Sequence, residues 1–242
     1  MKGFSHVVLL VWSCLFIFSC DSHEVEQIPV QLPKGVNVPE GMVYIPAGEF
    51  VMGHRDDPLT EGGRKFSTDA YFIDKYEVSR GDYQAFKTRE SFDPKWARFP
   101  VVLVTHQDAS DYCQKIKKRL PTEKEWEKAA RGEDSRKWPW GQYQEHPNNG
   151  FSGFQPEPVD KREGWMSPYG LYGMGHNVWE WVADWYAYKG QPSAEKNKFK
   201  VLRGGLIQTH LSIKFSATYF RNWIEPTAAY NFIGFRCARD VS

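Results

Sequence analysis

Aromatic side chains and chain breakers run together through this sequence, and that combination constrains its fold more than any other feature. Phe, Tyr and Trp make up 16% of the 242 residues, with 20 Gly and 15 Pro spread among them. Gly and Pro at that density break long helices and long strands. The rings must therefore bury themselves between short elements and loops. A coiled coil, a solenoid and a multi-span membrane protein are excluded, and no internal repeat stands out. The length suits one large domain. Charge excludes a further class: 31 Lys and Arg against 30 Asp and Glu leave a formal +1. That is no electrostatic footprint for nucleic acid, so no nucleic-acid partner is expected.

The first twenty residues stand apart. Lys2 precedes an apolar run from Val7 to Phe18, too short to span a bilayer and suited to a secretory signal. Its end, Ile17-Phe18-Ser19-Cys20, resembles the box at which bacterial lipoproteins are cut before a Cys that takes lipid on its sulfur. The expected division is a lipoprotein-type signal peptide over 1–19, a lipidated N-terminus and tether over 20–40, and a domain over 41–242. Pro29, Pro33 and Pro39 among polar residues give the tether its character. The expected location is the bacterial cell envelope: exported, lipid-anchored to a membrane, periplasmic or surface-facing. Asp21 resembles the inner-membrane retention signal of enterobacterial lipoproteins. With Cys14 removed and Cys20 lipidated, Cys113 and Cys237 are left in a compartment where disulfides persist. They lack CxxC spacing and a neighbouring His, so they read as one bridge rather than a metal or redox pair.

Alternating apolar residues with Gly punctuation over Gly41–Gly53 suggest a β-hairpin, and Ala70–Val78 a further strand. Three helices are marked by their caps. Ser79 precedes the first. Thr105 precedes the second, which should bury Ala109, Tyr112, Cys113 and Ile116. Thr122 with Glu125 forms a capping box for the third, which Gly132 stops. After Gly132 periodicity is lost, and strand-like pieces return at 201–205, 215–220 and 232–238. The predicted class is α+β, irregular and turn-rich, in a single domain.

Eight motifs then occur in register. They are Gly41–Gly53; Pro100-Val101-Val102 with Asp108-Ala109 and Tyr112-Cys113; Lys118–Glu123 with Glu125-Trp126-Glu127; Trp140-Gly141; Gly170-Leu171-Tyr172; Asn177–Trp181 with Asp184-Trp185; Arg203-Gly204-Gly205; and Gly234–Cys237. Together they resemble the formylglycine-generating enzyme (sulfatase-modifying factor) family from about Gly41 to Asp240. The resemblance implies that family's irregular fold, grouped with C-type-lectin-like folds, and a disulfide between Cys113 and Cys237.

The resemblance also implies where chemistry would sit. The family oxidises a substrate cysteine with copper held by two thiolates, and soft sulfur suits Cu(I). Those positions fall here on Thr209 and on Lys214 or Ile213, and no cysteine occurs between Gly205 and Cys237. Copper is therefore not expected. Iron is not expected either, because the histidines show no HxxxH or HxH spacing. His210, beside the vacated copper position, is the catalytic candidate, against its plainer reading as a solvent-facing loop residue. Calcium is the ion the resemblance leaves open: Glu180 with the carbonyls of His176 and Val178, the family's Asn being Gly173 here, and a second site at Asn149 and Gly150. Trp179, Trp181 and Trp185 read as core packing rather than a sugar platform, and Arg203, Arg221 and Arg236 as partners of buried carboxylates.

Two functions follow as expectations. One is a non-catalytic, membrane-tethered envelope lipoprotein using the domain to bind a protein or peptide partner or to assemble a complex. The other is an exported oxidoreductase or modifying enzyme acting on a peptide or peptide-derived substrate without the copper dithiolate.

Overall fold

Short runs of buried residues, rather than long periodic ones, build the architecture. A computed structural model describes residues 25, 27–87, 92–142, 156–188, 191–192, 197–205 and 213–241. A three-stranded antiparallel sheet has β4 (Tyr71–Asp74) between β1 (Met42–Ile45) and β11 (Ala238–Asp240). A four-stranded sheet runs β10 (Ile233–Phe235), β5 (Trp179–Trp185), β8 (Lys200–Gly204) and β9 (Asn222–Ile224), with β10 parallel to β5. Two ribbons complete the set: β2 (Gly48–Met52) with β3 (Arg64–Thr68), and β6 (Ala187–Tyr188) with β7 (Gln191–Pro192).

The expected hairpin over Gly41–Gly53 is corrected. β1 and β2 follow one another but pair with β4 and β3 respectively. β1 is the edge strand of its sheet, yet both its faces are covered, Met42 and Tyr44 on one and Ile45 on the other. The piece expected at 215–220 is likewise no strand; it begins in a 3₁₀ turn, Ile213–Ser216.

The caps place the helices as the sequence predicts. Ser79, Thr105 and Thr122 each accept a hydrogen bond from the third helical N–H of α1 (Arg80–Phe86), α2 (His106–Lys115) and α3 (Glu123–Arg131). The last two are full capping boxes, typically contributing about 1 kcal/mol each. Gly132, with φ +71°, ends α3. Ile116 departs from expectation: it caps α2 and is 40% exposed.

Two main cores result. One gathers Val104, Ala109, Tyr112, Cys113, Trp179, Trp181, Phe235 and Cys237 between α2 and the four-stranded sheet. The other gathers Ile45, Tyr71, Ile73, Trp126, Leu171 and Val201 around α3. Cys113 and Cys237, both fully buried, are joined as a disulfide that ties α2 to the chain between β10 and β11. Within the stretch read as a tether, Ile28 and Val30 pack against the α3 core. No described helix is long and apolar enough to cross a membrane.

Candidate functional site

β8 ends in Arg203-Gly204, and Gly205 follows it into the segment on which the family resemblance places the copper positions. Gly204 has φ +91°, and a Cβ on Gly205 would lie 2.3 Å from the Phe215 carbonyl oxygen. The returning chain therefore presses on Gly205, and only glycine fits. Thr209 and His210 lie outside the described residues, and Ile213 and Lys214 begin the 3₁₀ turn. The domain's two cysteines are consumed in the bridge between α2 and the end of β10, so they offer no thiolates to a copper ion. The residues present do not fit that group.

A second site is built from charge. Trp179–Trp181 is the start of β5, and its middle residue, Glu180, points inward with no exposed surface. Arg236, also fully buried, donates through Nε to Glu180 Oε2 and through Nη2 to Oε1, both at 2.7 Å. Trp126 Nε1 of α3 adds a third bond to Oε2 at 2.8 Å. Burial alone would lower the Arg236 pKa, but the hydrogen-bonded Glu180 charge outweighs it and leaves the guanidinium raised.

Glu77, which sequence reading missed, completes the cluster. It is 2% exposed, and neither carboxylate oxygen meets full hydrogen-bond geometry, although the Asn177 side chain is close enough to lower its pKa. Burial pushes its pKa up to about 8; Arg236 opposes that shift and the Glu180 charge adds to it. A Cβ on Gly173 would come within 2.6 Å of the Glu77 carboxylate. The carboxylate thus fills the space beside the position where the family carries Asn, and Gly173, with φ +73°, is what leaves room for it.

Two carboxylates against one guanidinium leave the buried cluster one positive charge short. A proton on Glu77 or a bound cation would restore the balance. Both Glu180 oxygens already accept hydrogen bonds from Arg236 and Trp126, so Glu77 is the carboxylate of the pair left with oxygens to offer. Asn149 and Gly150 lie outside the described residues, and Asp160, beyond the shortened loop, pairs with Arg98 at 3.0 Å. Among the described residues no three His, Cys, Asp or Glu side chains gather as a metal group.

A second set of buried charges joins α3 to β8. On α3, Glu123 and Glu127 hold Arg203 through Nη1 at 2.9 Å and Nη2 at 2.7 Å. Glu123 also receives Arg221 at 2.7 Å, and Glu127 receives Arg131 at 3.0 Å. Arg203, Arg221 and Arg236 are thus partners of buried carboxylates, as the sequence reading held. Trp179 and Trp181 are buried in the core, while Trp185 is 39% exposed under the Lys200 ammonium.

The described histidines do not converge. His54 packs on Tyr219, His176 on the edge of Trp165, and His106 on Trp181. Burial, reinforced by the Lys200 charge, lowers the His106 pKa to about 4. A neutral His in the fold and a titrating one in the unfolded chain means the His106 contribution to stability is full above about pH 6.5 and is lost toward pH 4. Urea unfolding between pH 7 and 5 should show His106→Gln flattening this fall by up to about 1.4 kcal/mol per pH unit. An unchanged slope would show that the ring stays accessible to protons.

The sulfatase-modifying factor enzyme 1-like domain family matches residues 29–241. The formylglycine-generating enzyme of Bos taurus is 30% identical over 88% of this chain and 78% of its own. The bovine protein named inactive C-alpha-formylglycine-generating enzyme 2 is 37% identical over 58% of this chain and 50% of its own. Among solved structures, PvdO from Pseudomonas aeruginosa superposes with a TM-score of 0.64 at 25% identity, covering 88% of this chain and all of that one.

Proposed function

The chain belongs to the sulfatase-modifying factor enzyme 1-like family, and from that premise we propose that it is a lipid-anchored envelope protein that binds a peptide or protein partner without oxidising cysteine. One observation carries the reading: the domain's cysteines, Cys113 and Cys237, are both spent on a buried disulfide remote in sequence from the Gly205–Lys214 segment. The family's peptide groove without its copper is a binding surface. A relative whose name calls it inactive supports the precedent within the family. The Ile17–Cys20 sequence supports the anchor and the export that goes with it.

Calcium is proposed as a structural ion, held beside Glu180 by the Glu77 carboxylate and the carbonyls of His176 and Val178. When bound it supplies the positive charge that the buried cluster lacks. Arg236 and Trp126 orient Glu180, and Gly173 admits Glu77, so the cluster joins β5, α3 and the β10–β11 connection. The role is cohesion beneath the binding surface rather than chemistry.

Metal analysis of the protein purified from membranes tests the reading. The expected result is about one calcium per chain, no stoichiometric copper or iron, no oxygen uptake with cysteine-containing peptides, and recovery of a partner from detergent-solubilised membranes. Stoichiometric redox-active copper or iron with oxygen uptake would overturn it in favour of an exported oxidoreductase acting on a peptide-derived substrate. Recovery of monomer alone would remove the assembly role.

A further inference from the structure

The segment that joins the anchor to the domain is fastened to the domain almost as soon as it begins. Ile28 N–H donates to the Pro168 carbonyl at 2.8 Å, and Gln27 Nε2 donates to the Ser167 carbonyl at 3.3 Å. The Ile28 Cδ1 methyl lies 2.9 Å from where a Cβ on Gly132 would stand, so the end of α3 is shaped around it. Val30 and Val36 then pack against Met42, Tyr44 and Phe72. A Val36 N–H to Pro33 carbonyl bond closes a turn between them, and Pro29, Pro33 and Pro39 restrict the backbone throughout. Residues 28–39 are thus a fixed part of the surface rather than a flexible spacer.

That fixes the reach of the anchor. From Cys20 to Ile28 a fully extended chain spans at most about 29 Å, while a compact domain of this size is about 40 Å across. The domain cannot turn its far side to the bilayer, and the docked segment stands at most about 29 Å from it. The docked segment presents Leu32, 49% exposed, and Val38, 37% exposed, outward, with the exposed Lys34 between them. Two apolar side chains flanking a cation suit an interface with acidic headgroups, where each such contact adds to an anchor already in place.

We propose that the domain rests on the lipid surface that carries its anchor, through the face presented by residues 31–38. Leu32 and Val38 enter the headgroup layer and Lys34 meets acidic lipid. This rests on lipidation of Cys20.

The test uses the full lipidated chain in vesicles containing phosphatidylglycerol. A bimane probe is placed in turn at Leu32→Cys, Val38→Cys and, as reference, at Tyr230→Cys, which is 46% exposed beside the other core. Doxyl-labelled lipid should quench the probes at 32 and 38 at least threefold more than the probe at 230. A twenty-residue Gly-Ser insertion after residue 24 should abolish that difference while leaving the chain in the detergent phase of a Triton X-114 partition. Equal quenching at all three positions in a membrane-bound chain would overturn the seated arrangement and leave the anchor intact. A wild-type chain that partitions with Cys20→Ser into the aqueous phase would overturn the anchor and the seating with it.

Discussion

Arg236→Ala should destabilise the domain by about 3–5 kcal/mol, because it leaves buried carboxylates without the charge they were folded around. For a domain of this size that is a fall of roughly 10–15 °C in Tm. Arg236 has no exposed surface, gives two hydrogen bonds to Glu180, and gives others to the carbonyls of Asp74 and Tyr172. Losing it strands two acidic groups and frees carbonyls on two separate segments. Glu180→Gln placed in the Arg236→Ala background should recover part of the loss by removing the stranded charge. If Arg236→Ala unfolds at the wild-type temperature, the guanidinium is not what neutralises the cluster.

Glu77 gives the same cluster a pH signature with a definite sign. Its carboxyl holds a proton in the fold up to about pH 8, whereas an unfolded carboxyl releases it near 4.5. With chelator present, the folded state therefore binds the extra proton across that interval. The Glu77 contribution to stability should fall as pH rises from 4.5 to 8, by up to about 1.4 kcal/mol per pH unit, against the opposite contribution of His106 below pH 6.5. Glu77→Gln should abolish that slope and raise the Tm at pH 8. Calcium should stabilise the wild type and not the variant, since the cation takes the place of the proton.

What the sequence made legible follows from how far each feature depends on distant residues. The helices were readable because a capping box is local: Thr122 and Glu125 satisfy each other's backbone N–H groups within one turn. The bridge was readable because cysteines can be counted. The partners of β1 were not, because Met42–Ile45 pairs with β4, whose other neighbour β11 comes from the far end of the chain. Glu77 was invisible for the same reason. Between Tyr76 and Val78 it reads as a polar strand end, and only Glu180 and Arg236, more than a hundred residues on, make it a buried acid. Gly173 carried the one available signal: an Asn lost from a ligand set asks what occupies its space. Ile116 failed because i+7 spacing extended the helix one residue too far.

Cys113→Ala with Cys237→Ala should cost about 5 kcal/mol. The bridge spans 124 positions, and closing a loop of that length removes roughly this much entropy from the unfolded chain. Against a total stability of about 5–15 kcal/mol, the oxidised and reduced domains should differ between folded and marginal. Position sharpens the expectation. Cys237 N–H donates to Asp74 Oδ2 and the Cys237 carbonyl accepts from Asp74 N–H, so the bridge ties α2 to β4 as well as to the C-terminal strands. Both sulfurs are fully buried, so dithiothreitol should act only after urea has opened the domain. An urea midpoint unchanged in the double variant would show that the unfolded chain is already held together by other contacts. The same variants separate stability from chemistry: a single Cys113→Ala substitution frees one thiol at Cys237, and copper should still fail to bind, because the pair that would hold it is not restored.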